Sequence, residues 1–246
     1  MVVGFCGSGN MAAAMARGWA GELGGMLFSD AGSGRARALA AELGGEAVDN
    51  ATLAERADLL VLAVKPAKLE EVAPQLGAAK KVVSILAGVP LERSRAAFPN
   101  AELLRVMPNV GVEVRKGVLC IAGEADAEVR DALAILGHVV EIADAEFDEA
   151  TAIMSCAPAY LALAVEALAD AGAAAGLDRE LAGDLVVETT AGTAELLRLR
   201  HPADVRKAVT SPGGSTEAGL EALDREGARA AFEAAVAASL ERMKGK

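Results

Sequence analysis

Two short stretches of this sequence have the residue types and spacing that small-molecule chemistry requires. The first is Val209–Thr210–Ser211–Pro212–Gly213–Gly214–Ser215–Thr216–Glu217. Pro212 fixes φ and cannot continue a preceding helix. Gly213 and Gly214 permit unusual backbone angles and the close approach of a ligand. Ser215 or Thr216 is placed to cap a following helix, with Glu217 in its first turn. Free N–H groups at a helix start, glycines beside them and the hydroxyls of Ser211, Ser215 and Thr216 suit a small anion, most simply a carboxylate. Taken alone, the stretch is also compatible with an ordinary helix start after a turn. The second stretch is Gly7–Ser8–Gly9–Asn10–Met11–Ala12, directly after the apolar run Met1–Phe5. It is a G-x-G-x-x-A form of the dinucleotide fingerprint in the strand-turn-helix setting that the fingerprint needs. Gly7 makes the tight turn, Gly9 admits a pyrophosphate to the backbone, and Ala12 packs helix against strand.

The elements that must hold these residues follow from the hydrophobic pattern. Strands are expected at Met1–Phe5, Met26–Ser29, Leu59–Val64, Val82–Leu86, Ala101–Val106, Gly117–Ala122 and Val139–Ile142. Helices are expected from about Asn10 to Leu23, Arg35 to Leu43, Asn50 to Ala57, Lys68 to Leu76 and Asp126 to Leu136. Strand and helix alternate throughout, which predicts an N-terminal Rossmann-type, doubly wound α/β domain over residues 1–145. Leu59–Val64 is almost wholly apolar, as a central parallel strand should be. It ends in Lys65–Pro66, at the carboxyl edge where such sheets bind ligands. Asp30, at the end of the second strand, suits the ribose hydroxyls of NAD or the cap of the next helix, whereas Ser29, Ser33, Arg35 and Arg37 suit a 2′-phosphate; the choice between NAD and NADP stays open.

Beyond about Asp144 no strand is expected. A long apolar helix over Asp148–Ala175, kinked at Pro158, should be followed by helices from Asp178 to Arg198, from His201–Pro202 to Ala208, from the signature turn to Leu223, and from Gly227 to Lys244. The first is apolar nearly all round between Ala150 and Val165, so it must be buried on every side. Residues 146–246 therefore read as an all-helical dimerisation domain that carries part of the active site, with a compact monomeric bundle as the alternative.

Composition narrows the partners. The chain of 246 residues is 53% hydrophobic and 3% aromatic, so its core is aliphatic and built from small residues. A net charge of -11 argues against a nucleic-acid partner and leaves no polybasic membrane patch. The longest charge-free apolar run, between Glu149 and Glu166, is too short to span a bilayer comfortably. Cys6, Cys120 and Cys156 show no zinc spacing and no disulfide framework, which fits a reducing cytoplasm; no metal is expected. No basic residue precedes Arg17, unlike a signal peptide.

The chain resembles the pyrroline-5-carboxylate reductases, the last enzymes of proline synthesis. The resemblance rests on Gly4–Phe5–Cys6–Gly7–Ser8–Gly9–Asn10–Met11, Leu62–Ala63–Val64–Lys65–Pro66, Ser84–Ile85–Leu86–Ala87–Gly88–Val89 and Arg105–Val106–Met107–Pro108–Asn109. In the second half it rests on Pro158–Ala159–Tyr160, Glu166–Ala167–Leu168–Ala169–Asp170–Ala171–Gly172 and Val209–Thr216, the family's most specific signature. Ser155–Cys156–Ala157 stands where the family usually has Gly–Ser–Gly, and Val110–Gly111 where Thr–Pro is usual.

The resemblance implies reduction of the cyclic imine 1-pyrroline-5-carboxylate to L-proline by NADPH or NADH. It implies that Ser211, Gly213, Gly214, Ser215 and Thr216, with Met107, hold the substrate, and that Thr216 donates to the ring nitrogen or relays its proton. The cofactor set is then Gly7, Ser8, Gly9, Asn10, Met11, Ser29, Asp30, Asn50, Ala63, Val64, Lys65, Pro66, Ala87 and Asn109, with the nicotinamide near Ala87, Met107 and Asn109. Family members pair through their helical domains, often assemble further into decamers of five dimers, and face the substrate loop to the partner's cofactor. The chemistry agrees. A hydroxy-acid dehydrogenase needs a base, usually His or Lys. Neither His138 nor His201 has a carboxylate partner at catalytic spacing, and Asp148–Ala175 contains no Lys. A protonated imine is already electrophilic, so positioning and a hydrogen bond to nitrogen suffice. A reductase of a related cyclic imine, a hydroxy-acid dehydrogenase of the same architecture and a redox-sensing nucleotide-binding protein remain the alternatives.

Overall fold

The computed structural model describes residues 1–243, so the expected end of the last helix at Lys244 lies outside the described residues. The chain divides into two compact units, Met1–Cys156 and Ala157–Arg242.

In the first unit, the strands are β1 (Val2–Cys6), β2 (Gly25–Ser29), β3 (Glu46–Ala47), β4 (Leu59–Leu62), β5 (Lys81–Ser84), β6 (Glu102–Pro108), β7 (Gly117–Ala122) and β8 (Gly137–Glu141). They form one sheet in the order β3-β2-β1-β4-β5-β6-β7-β8. Neighbouring strands pair in parallel except β6 with β7, whose register sets Met107 opposite Cys120. Interspersed are α1 (Asn10–Trp19), α2 (Arg35–Leu43), α3 (Asn50–Arg56), α4 (Leu69–Val72), α5 (Leu91–Ala97), α6 (Ala127–Ile135) and α7 (Phe147–Met154). The two-residue periodicity of a strand sends alternate side chains to opposite faces. Val3, Phe5, Leu59 and Val61 join Met15, Trp19 and Phe28 in one core. Cys6, Leu60 and Leu62 join Leu53, Leu69 and Val82 in the other. Phe5 stacks on Phe28 with ring centroids 5.3 Å apart, and the buried Trp19 indole donates to Ala132 O at 2.6 Å.

Several elements differ from the sequence expectation. α1 stops at Trp19, short of Leu23, because the Arg115 guanidinium reaches back to Gly18 O and Ala20 O and satisfies carbonyls that a longer helix would have bonded. The expected helix Lys68–Leu76 is divided into a 3₁₀ turn, α4 and a second 3₁₀ turn, since Pro74 lacks the N–H that would continue it. β3 and α5 form where the hydrophobic pattern marks no element. The hairpin-like return from β6 to β7 passes through a 3₁₀ segment, Val110–Val114, and makes the sheet mixed.

The long helix expected over Asp148–Ala175 is two helices. α7 ends at Met154, and α8 (Ala157–Ala174) begins after Ser155–Cys156. Pro158 therefore lies in the first turn of α8, where its missing N–H costs nothing. α7 belongs to the first unit, and the compact division falls after Cys156. The reason is packing: Phe147 is 1% exposed and clusters with Met107 and Cys120. The buried Arg105 guanidinium lies 4.1 Å over the Phe147 ring and pairs with Asp144 at 2.8 Å. Asp144 also accepts Leu91 N–H, capping α5 from a distance, while Arg105 Nε is buried without a partner.

The second unit is all helical: α8, α9 (Arg179–Leu199), α10 (Pro202–Val209), α11 (Ser215–Arg225) and α12 (Ala228–Met243). Asp178 caps α9 by accepting from Glu180 N and Leu181 N. The Tyr160 hydroxyl on α8 hydrogen-bonds Ser239 Oγ on α12 at 2.5 Å. Large apolar side chains stay exposed here, including Leu163 at 64% and Leu199 at 81%. Faces of that kind mark an interaction surface.

Replacing Asp144 by Ala strands the buried Arg105 charge. Because Asp144 is a third exposed, the expected loss is about 2 kcal/mol, below the full cost of breaking a buried pair. Urea denaturation of the full chain reads it, and Asp144→Asn, which keeps an acceptor for Leu91 N–H, should lose less.

Candidate active site

The strands β1, β4, β5 and β6 run parallel, so their carboxyl ends share one edge. The strand order reverses between β1 and β4, the crevice where sheets of this type take dinucleotides. Gly7 adopts φ 97, and a Cβ there would lie 2.6 Å from Ala63 O and 2.9 Å from Val64 N. Only glycine lets the β1–α1 turn sit against the end of β4. Gly9 is different. It is the N-cap of α1 with φ -78 and ψ -177, a conformation open to any residue, and a Cβ on it would meet nothing within 4 Å. The space over Gly9 is thus free of protein at a helix N-terminus, which fits a pyrophosphate. Asn10 is exposed and Met11 half-buried beside it. Ala63 and Val64 are half-buried, and Lys65, Pro66 and Ala87 are exposed, along the same edge.

Other expected cofactor side chains are already engaged within the protein. Ser8 is buried and its hydroxyl donates to Ser29 O at 3.1 Å. Ser29 is 2% exposed and donates to Asn50 Oδ1 at 2.6 Å, so its hydroxyl is not presented to a 2′-phosphate. Asn50 Oδ1 also accepts from the Cys6 thiol at 3.6 Å, and Asn50 Nδ2 donates to Gln75 Oε1 at 2.9 Å. Gln75 gave no sequence signal. Burial pushes the Cys6 thiol up to about 11, against the opposing hydrogen bond with Ser29.

Asp30 holds the β2–α2 loop. Its carboxylate accepts from Gly32 N, Ser33 Oγ and Ala36 N. Partial burial works to raise this carboxyl, but the hydrogen bonds, led by Ala36 N–H, outweigh it and keep it below the ordinary range. Asn109 is likewise engaged. Its Oδ1 accepts from Gly111 N and Val118 N, and its Nδ2 donates to Met154 O at 3.0 Å. Met107 is buried among Cys120, Ala122 and Phe147. The side chains of Ser29, Asn109 and Met107, expected among the ligand-binding positions, are thus engaged or buried within the protein.

In the second unit, Gly214 and neither Ser215 nor Thr216 is the N-cap of α11, and no side chain caps it. Gly214 N–H donates to Ser211 O at 2.9 Å and Gly213 has φ 72. With Pro212 second and Gly213 third, Ser211–Gly214 is a type II turn. Ser211, Ser215 and Thr216 are exposed. The first amides of α11, at Ser215 and Thr216, have no acceptor within their own helix. His201 is an N-cap whose Nδ1 accepts from Ala203 N, and His138 is exposed on β8.

A Rossmann-type sheet with an open phosphate cradle, together with a helical unit carrying an anion-competent turn, defines a nicotinamide-dependent oxidoreductase. Comparison with known proteins narrows the class. The family profile described as "Pyrroline-5-carboxylate reductase dimerisation" matches residues 144–246, and the profile described as "NADP oxidoreductase coenzyme F420-dependent" matches residues 2–88. The pyrroline-5-carboxylate reductase of Synechocystis is 42% identical over 205 residues, covering 79% of this chain and 77% of the relative. The crystal structure of 1-pyrroline-5-carboxylate reductase from Streptococcus pyogenes superposes with a TM-score of 0.90 at 30% identity, over 100% of this chain and 99% of that one. The Plasmodium falciparum pyrroline carboxylate reductase, solved with NADP bound, gives 0.87 at 27% identity, over 100% and 97%. The chain belongs to the pyrroline-5-carboxylate reductase family.

The two fingerprint glycines should respond differently to substitution. Gly9→Ala is expected to keep the thermal midpoint and lose cofactor binding by at least tenfold, because only a ligand would meet the new methyl. Gly7→Ala should lower the midpoint itself. Differential scanning fluorimetry beside a cofactor fluorescence titration separates the two effects.

Proposed function

We propose that this chain reduces 1-pyrroline-5-carboxylate to L-proline with NAD(P)H, the last step of proline biosynthesis. The observation that carries this reading is the type II turn leading into the unpartnered start of α11, in a chain where one histidine caps α10 and the other sits at an exposed strand position. The turn and the first α11 amides seat the substrate carboxylate. Ser211, Gly213, Gly214, Ser215 and Thr216 form that seat, and the Thr216 hydroxyl hydrogen-bonds the ring nitrogen or relays its proton. When bound, the nicotinamide supplies hydride to the imine carbon. Gly7, Ser8, Gly9, Asn10 and Met11 hold the pyrophosphate from the start of α1, with Asn50, Ala63, Val64, Lys65, Pro66, Ala87 and Asn109 completing the cofactor edge.

A hydroxy-acid dehydrogenase reading lacks its base. His201 caps α10 and His138 sits on an exposed strand position. Neither α7 nor α8 contains a Lys.

NADPH is the preferred donor in this reading. A carboxylate has about four acceptor positions, and Asp30 gives three to its own loop. It therefore lacks the free pair of oxygens that grips a ribose diol. Arg35 and Arg37 are exposed, and among the described residues no ion pair engages them. They are available for a 2′-phosphate.

The homo-oligomer forms through the exposed apolar faces of the second unit, as homodimers that assemble five at a time. Among the described residues one helical stretch, Asp144–Ala174, is long and apolar enough to cross a membrane by length and composition. Its interruption at Ser155–Cys156 and the dimerisation match over the same residues favour a protein interface. Three free cysteines and the net charge of -11 favour a cytoplasmic protein that binds neither nucleic acid nor membrane.

Cofactor oxidation with 1-pyrroline-5-carboxylate should yield proline one for one, faster with NADPH than NADH; cofactor binding without proline would defeat the reading. Thr216→Ala should lower kcat/KM by on the order of 100-fold and leave cofactor affinity intact. The double variant Arg35→Ala with Arg37→Ala should raise the KM for NADPH about tenfold and not that for NADH.

A further inference from the structure

The turn before α11 carries one hydrogen bond that the carboxylate seat does not account for. A type II turn differs from a type I turn chiefly by rotation of its central peptide, here Pro212–Gly213, through about 180°. Both forms keep the closing bond from Gly214 N–H to Ser211 O, so that bond does not choose between them. Gly213, at φ 72, tolerates the type II form, and as a glycine it tolerates the other as readily. The choice must come from elsewhere.

Glu217 supplies it. Its Oε2 accepts the Gly213 N–H at 2.6 Å, and that N–H belongs to the peptide whose rotation separates the two turns. Glu217 is the third residue of α11, the position from which a capping-box glutamate reaches back to the residues before a helix. The N-cap Gly214 has no side chain with which to reciprocate, and the carboxylate reaches one residue further, to Gly213. Rotating the peptide would remove the N–H and turn the Pro212 carbonyl oxygen toward a carboxylate, so the acid opposes the rotated form by both loss and repulsion.

We infer that Glu217 is a positioning residue for substrate: it holds the Pro212–Gly213 peptide in the type II orientation and so pre-organises the seat for the substrate carboxylate. The inference rests on the reading of this turn as that seat. An anionic side chain beside an anion site would ordinarily weaken binding. Its hydrogen bond to the turn is what offsets that charge, so its benefit comes through geometry and an acceptor oxygen alone retains it.

Steady-state kinetics on the full chain, combined with amide exchange at Gly213, tests this. Glu217→Ala should raise the KM for 1-pyrroline-5-carboxylate about tenfold, with kcat and the KM for NADPH unchanged, and should speed Gly213 exchange. Glu217→Gln keeps an acceptor and should return both readings to within about twofold of wild type. Glu217→Met, matched in length but without an acceptor, should behave as the Ala variant, and stands in for it should Ala fail to fold. A wild-type KM in the Ala and Met variants would overturn the inference. So would a Gln variant as impaired as Ala, or a fall in kcat together with the KM for NADPH. A wild-type protein that makes no proline yet loses Gly213 protection in the Ala variant would remove the reductase reading and leave the Glu217 brace standing.

Discussion

The first unit depends on one close approach, that of the β1–α1 turn to the end of β4. Gly7 lies so near Ala63 O and Val64 N that no Cβ fits between them. This contact closes the point where the strand order reverses and directs the N-terminus of α1 across the sheet edge. It is possible because β1 and β4 are adjacent and parallel, with alternate residues of both strands feeding two apolar layers. A turn held this tightly cannot carry bulky side chains toward a ligand. What it presents is backbone, and the free space over Gly9 shows where.

The same economy governs the polar residues around that edge. Ser8, Ser29, Asn50, Asp30 and Asn109 look like ligand contacts because they stand at strand ends. Most of their hydrogen-bonding capacity is spent on loops and neighbouring helices. A buried donor or acceptor left unpaired is expensive, so side chains at such an edge find protein partners before any ligand arrives. The consequence for function is rigidity. The Cys6–Ser29–Asn50–Gln75 chain and the Asn109 link to α7 set the shape of the edge, while Arg35, Arg37 and Lys65 remain exposed.

The second unit obeys the opposite constraint. Its helices have more apolar surface than they can bury among themselves, with Leu161, Leu163 and Leu168 of α8 all exposed. Small residues make the helices easy to pack but supply little internal core. The family's dimerisation match over this region agrees with that shortfall. The turn before α11 is fixed by proline, by a left-handed glycine and by a carboxylate from the following helix.

Much was determined by sequence alone. The alternation of apolar runs with amphipathic segments defines a doubly wound sheet, because strand and helix periodicities are local. Gly7, Pro212 and Gly213 are legible for the same reason, since each imposes or permits a backbone conformation on its own, and Gly9 because it lacks a Cβ. The continuation of the first unit through α7, the break at Ser155–Cys156, and the Arg105–Asp144–Leu91 cluster were decided only in three dimensions. So were the inward hydrogen bonds of Ser29 and Asn109, the burial of Met107, and the Arg115 cap on α1. Each depends on groups distant in sequence, and no local pattern reports which partner a polar side chain will find once the chain has closed around it.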